Sequence, residues 1–200
     1  MKHNFKQPSQ STSLRFIIPI FFFAGLVLSC VIAHFFKTTL YAPVLTFYQE
    51  LLSQLSTTEI HSSSLLLLVC KKHLKYFLLL WFFSFTNIWK YYYRLFLAYL
   101  GFQNGLLLSF CLFMNGLAGV LGFLCFLLPH AFFFIPAYFI SIYRGQLIYA
   151  QLESQHSDTK KSQLILRQIP SFLVAFSFLF IACLMESYLN PLLLRLFFRF

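Results

Sequence analysis

Between Arg15 and Lys37 the chain runs for 21 residues, FIIPIFFFAGLVLSCVIAHFF, without an Asp, Glu, Lys or Arg. About 20 apolar residues in a helix match the roughly 30 Å hydrocarbon core of a bilayer, and the apolar stretch of a secretory leader is shorter. Within lipid, only helices and closed barrels satisfy every backbone polar group. This run therefore constrains the chain more than any other feature. Leu28-Ser29-Cys30 resembles a lipoprotein cleavage box, but the apolar run continues past Cys30, so no cleavage is expected there. Composition extends the argument to the whole chain. Of 200 residues 60% are hydrophobic, 29 are Phe and 10% are charged, against about 25% charged residues in soluble domains. The expected class is an all-α integral membrane protein: a basic cytoplasmic N-terminus over 1–15, one polytopic domain over 16–195, and a tail over 196–200.

The pattern predicts five spans, at about 16–36, 74–89, 95–115, 130–150 and 169–189. Gly101 and Gly105 form a GxxxG pair, the spacing that lets two membrane helices approach closely. Residues 117–128 are too few to cross, at roughly 18 Å of helix. Pro129 follows and is expected to end that piece, because proline lacks the donor and clashes one turn back. The reading is a Pro-broken, re-entrant half-helix before the fourth span, or one long helix kinked at Pro129. Residues 37–72 form an extracytoplasmic segment. Within it Val44, Tyr48, Leu51 and Leu55 follow helical spacing after Pro43. That stripe fits a short amphipathic helix on the membrane, on a partner or on its own bundle, with Ser62–Ser64 capping a second helix that enters span two.

The net charge of +10 invites a nucleic-acid reading, but the cations flank apolar runs singly or in pairs, as membrane anchors do, so no nucleic-acid partner is expected. Membrane lipids are. Lys2, Lys6, Arg15, Lys90, Arg94, Arg144, Lys160, Lys161 and Arg167 fall on one side of the five spans. Lys37, Lys71, Lys72, Lys75, Arg195 and Arg199 fall on the other, which favours a cytoplasmic N-terminus and an outside C-terminus. The five cysteines are scattered, with no CxxC pair, so neither a disulfide framework nor a metal site is expected.

His130, directly after Pro129, is an imidazole at membrane depth. It reads as a ligand or proton site at a broken helix, or as a cap for backbone groups the proline leaves unpaired. The cap is preferred because no second ionisable residue lies on the same segment. Glu186 is the acid within an apolar run, near the outer end of span five, where it either reaches the interface or pairs with His34, Lys37 or Arg195. No HExxH, GxSxG or GK[ST] motif occurs, so no catalytic residue and no cofactor are expected. A small transporter or channel subunit is the function class that the broken helix and His130 would support.

LPHAFFFIPA, 128–137, resembles the L-P-[HQ]-x-x-x-x-[LI]-P-A stretch of the stage II sporulation protein M family of multi-pass bacterial membrane proteins. HLKYFLLLW (73–81), GFQNGLLLSF (101–110) and MESYLNPLLL (185–194) are similar to that family's second-span, third-span and closing segments. The likeness covers about 15–195. It marks Pro129, His130, Pro136, Ala137, Glu186, Tyr188 and Pro191 as motif positions. Two positions depart from the pattern. The wider family often has glutamate where this chain has Phe134, an acid the sporulation branch also lacks, and asparagine where it has His73. Trp89–Leu95 looks like a local elaboration. The resemblance implies a non-enzymatic scaffold of the engulfment machinery, in the mother-cell septal membrane, that holds a septal amidase and a lytic transglycosylase. Tyr48, Leu51 and Leu55 are then the candidate partner contacts, on position and periodicity.

Overall fold

The computed structural model describes residues 10–39, 42–46, 49–50, 62–154 and 161–197. These are helical apart from short turns: α1 (Gln10–Phe35), α2 (Ser62–Phe83), α3 (Trp89–Ser154), α4 (Lys161–Leu184), a π-helical turn (Met185–Leu189) and α5 (Asn190–Phe197). Among the described residues, three segments are long and apolar enough to cross a membrane: Ile17–Phe35, Trp89–Leu152 and Leu166–Leu193. Tyr48, Leu51 and Leu55 lie outside the described residues.

α3 counts 66 residues. Straight, it would be about 100 Å long, several times a bilayer core. It is not straight. Gly116 takes φ 55, ψ −137, the one non-helical conformation inside α3, and the chain folds back on itself there. On either side of Gly116 the two limbs, 89–115 and 117–154, pack antiparallel. Gly119 lies against the Cys111 carbonyl. Further from the apex the Phe96 and Tyr138 rings are 5.2 Å apart, and the Trp89 indole lies against Gly145. Only glycine adopts that backbone geometry without Cβ strain, and nothing stands within 4 Å of the position a Cβ would take. Gly116→Ala therefore isolates the conformational cost, expected at about 1–3 kcal/mol in chemical denaturation of the detergent-extracted protein.

The break thus falls at Gly116 and not at Pro129. The helix runs on through Pro129 and Pro136, so the expected half-helix 117–128 and the fourth span are one continuous limb. Each proline removes one i→i−4 bond, a loss that packed membrane helices absorb.

α1 runs parallel to limb 89–115. Contacts advance together along both: Phe21 with Arg94, Gly25 with Ala98, Ser29 with Gly105, Lys37 with Phe113. Gly25 meets the Ala98 carbonyl, Gly101 the Phe22 carbonyl and Gly105 the Leu26 backbone. The Gly101/Gly105 pair thus forms the close helix contact its spacing predicts, with fully buried Ser29 and Ala33 completing the α1 side.

α2 runs antiparallel to the same limb, through ring contacts Phe83–Tyr92 (4.2 Å) and Tyr76–Tyr99 (5.7 Å). The turn at 84–88 is fixed by Ser84 Oγ donating to the Trp81 carbonyl (2.6 Å) and Thr86 Oγ1 to that of Phe83 (2.8 Å). α2 therefore begins and ends earlier than the expected second span, 74–89. The apolar turns Leu65–Cys70 belong to it, and Lys71, Lys72 and Lys75 fall at its middle instead of flanking its end. The helix starts at Ser62, as the Ser62–Ser64 cap predicts, and what differs is that the lysines sit within it instead of marking its end.

The core lies among α2, α3 and α4, around Phe77, Leu80, Trp89, Ala137, Ile142, Ile148, Ala175 and Ala182. Both indoles satisfy their N–H groups inside it: Trp81 donates to Ser141 Oγ (3.2 Å) and Trp89 to Gln146 Oε1 (3.1 Å). Leu117, Phe132 and Ile135 face outward, the apolar exterior that lipid requires.

Candidate functional site

The buried polar groups His130, Ser187 and Asn190 gather where α2, limb 117–154 and the end of α4 meet. α4 gives way to the π-helical turn Met185–Leu189, closed by the Asn190 N–H donating to the Met185 carbonyl. A π-turn inserts one residue into a helical register, a feature frequent at functional sites. It carries Glu186 and the fully buried Ser187, whose Oγ donates to the Cys183 carbonyl (2.7 Å).

Glu186 reaches α2. Its Oε2 lies 3.2 Å from His73 Nε2, with side-chain exposures of 20% and 13%, so the pair is largely dehydrated. No donor among the described residues is aimed squarely at that oxygen, so the contact is an ion-pair approach rather than a well-directed hydrogen bond. The other ring nitrogen of His73, Nδ1, lies 3.0 Å from the Tyr138 hydroxyl. With Nε2–H turned to the carboxylate, Nδ1 accepts the phenol proton when the imidazole is neutral and donates to the phenol oxygen when it is charged.

Phe134 sits at the centre. Its ring stacks on His73 at 4.1 Å, meets His130 edge-on at 5.7 Å and stacks on Tyr138 at 5.9 Å. His130 is buried, with Nδ1 3.0 Å from Asn190 Nδ2, so the amide donates to the ring in this orientation. Asn190 Oδ1 is buried without a hydrogen-bond partner. Three chain segments remote in sequence are thus tied by His73–Glu186, His73–Tyr138 and His130–Asn190. A polar contact of this kind fixes helix register and rotation.

Of the motif positions, His130 and Ala137 are buried, and Pro129, Pro136, Glu186 and Pro191 are half-buried. Tyr188 points outward. The partners expected for Glu186 are corrected: His73 takes it. His34 is exposed beside Phe35, Lys37 lies over the Phe113 ring, and the Arg195 side chain is outside those described. No ionisable neighbour of His130 lies on its own segment, but other helices bring His73 and Glu186 into the cluster. Sequence reasoning missed His73, Tyr138 and Asn190. The available signal was His73 standing where the resembled motif has asparagine. The two departures from that motif, His73 and Phe134, are the stacked pair.

Long apolar helices enclosing a buried ionisable cluster define an α-helical membrane protein. The family model described as stage II sporulation protein M matches residues 18–191, most of the chain, and the chain belongs to that family of sporulation-related membrane proteins. No curated protein and no solved structure matches it.

Proposed function

We propose that the protein is a non-enzymatic membrane scaffold of the sporulation engulfment machinery that holds a septal amidase and a lytic transglycosylase at the membrane. The reading starts from the family. The observation that carries it is that the ionisable groups inside the body brace its own helices: His73 holds Glu186, and His130 holds Asn190. Such bracing suits a rigid platform better than a conducting path. The Tyr48, Leu51 and Leu55 stripe remains the proposed docking face.

The fold supports a five-pass arrangement. α1, α2, the two limbs of α3 and α4 alternate in direction in the order a threaded chain requires. α2, with 22 residues, is long enough to cross. With its lysines inside the helix, the outer face keeps Lys37, Arg195 and Arg199 as its cations. The bias toward a cytoplasmic N-terminus and an outside C-terminus is stronger for that.

The second reading, a small transporter or channel subunit of the envelope, draws on the buried Glu186 and Asn190 oxygens that lack hydrogen-bond partners. The two separate in one comparison. The scaffold predicts that full-length protein extracted from membranes retrieves both wall hydrolases, and that His130→Ala leaves liposomes holding the purified protein no less tight. Substrate flux in those liposomes, lost in His130→Ala, with neither hydrolase retrieved, would replace it.

A further inference from the structure

α2 presents one continuous outward stripe: Leu67, Leu68, Lys71, Lys72, Lys75, Leu78 and Phe82 are all exposed. Leucines hold both ends of that stripe and lysines its centre. The depth of the lysines follows from neighbouring contacts. Gly25, midway along the apolar run of α1, packs on Ala98. The next residue, Tyr99, shares a hydrogen bond of 3.0 Å with Tyr76, which adjoins Lys75. Lys75 is therefore level with the middle of α1. At that depth the headgroups are about 15 Å away, half the hydrocarbon thickness and further than a four-carbon stem can snorkel.

The other cations contrast with these. Lys37, Lys90 and Arg94 stand near helix ends, each over an aromatic ring: Phe113 at 5.3 Å, Tyr149 at 4.8 Å and Phe21 at 5.9 Å. Charged side chains turned to hydrocarbon at the helix centre are strongly disfavoured, and in membrane proteins they face partners or water. Beside the lysines, Gln103 Nε2 donates to the Tyr99 hydroxyl at 2.6 Å, which extends the polar patch across α2 and limb 89–115.

We propose that this face docks a membrane-crossing helix of another protein, one that carries carboxylates at mid-depth. Charge complementarity selects that occupant. A phospholipid phosphate sits too far away. A second copy related by two-fold symmetry would set lysines against lysines. The acids of this chain are Glu50, Glu59, Glu153, Asp158 and Glu186, of which the first four lie outside the apolar runs of the sequence and the last is held by His73. The inference rests on α2 crossing the bilayer, as proposed above.

The test places a photoreactive phenylalanine analogue at Leu68 or Leu78 of the full-length protein in its host membranes. The expected product is a cross-link to an apolar helix bearing Asp or Glu. Yield falls about tenfold in Lys72→Glu/Lys75→Glu and returns when the captured acids are changed to lysine. Lys72→Gln/Lys75→Gln, a milder change, should also lower the yield. Capture of phospholipid alone, capture of a second copy, a yield indifferent to these changes, or no capture overturns the inference. A separate probe tells this failure from failure of the five-pass reading. In protein whose native cysteines are alanine, Leu68→Cys and Leu78→Cys should resist a membrane-impermeant maleimide, and reaction of both with it in intact membranes would overturn both proposals.

Discussion

Replacing His73 with leucine is expected to destabilise the detergent-extracted protein by about 2–4 kcal/mol. The change leaves the Glu186 carboxylate in a largely dry pocket without its imidazole partner and strips the Tyr138 hydroxyl of its partner. Breaking one side of a buried pair costs about 3–5 kcal/mol, and the 20% exposure of the Glu186 side chain lowers the figure here. Removing both partners, in His73→Leu/Glu186→Leu, should restore much of the loss, since the uncompensated carboxylate is the main penalty. Glu186→Gln should fall between wild type and His73→Leu, because it loses the contact with the imidazole but leaves no bare carboxylate in the pocket. Denaturant titrations of the four proteins check the order. Wild-type stability in His73→Leu would mean that the pair does not brace α2 against the end of α4.

The second large effect is expected at Gly101. A Cβ there would overlap the Phe22 carbonyl of α1, with the Leu26 nitrogen 3.0 Å away, so the obstacle is backbone and cannot rotate aside. Overpacking a good contact costs about 1–3 kcal/mol even where side chains can shift. Gly101→Leu should exceed that and force α1 away from limb 89–115. Cysteines introduced at Lys37 and Phe113, which face each other without a glycine contact, would report the separation as a lost cross-link with a short bismaleimide. Leu117→Ala, at a side chain 85% exposed to the surroundings, should stay within about 0.5 kcal/mol of wild type and serves as the control.

Much of the helical body was legible because its cues were local. The cations at Arg15 and Lys37 bound the first apolar run, and the spacing of Gly101 and Gly105 announced a close helix contact that the structure contains. The errors arose where one local cue overrode another. Pro129 was read as the breaker of the long apolar segment, yet a proline costs one hydrogen bond and a kink, which packing can tolerate, whereas reversing the chain needs a φ that only Gly116 supplies. Lys71, Lys72 and Lys75 resemble a span end because cations normally mark one, so the helix that begins at Ser62–Ser64, with Leu65–Leu68, is legible in the sequence but its first turns are placed outside the second span. The site was the least legible part. His130 and Glu186 stood out as rare intramembrane ionisable residues, but their partners are 60 positions away for His130 and on another helix for Glu186. Periodicity along one helix carries no information about which helix will face it.

The central proposal is that the chain threads the bilayer five times, with its buried cluster and lysine face inside the membrane. Its most direct measurement is the accessibility of tags at the two ends to an impermeant reagent in intact, right-side-out membranes. The account predicts that the C-terminal tag reacts and the N-terminal tag reacts only after permeabilisation. Reaction of both tags from the same side, before permeabilisation, would contradict it.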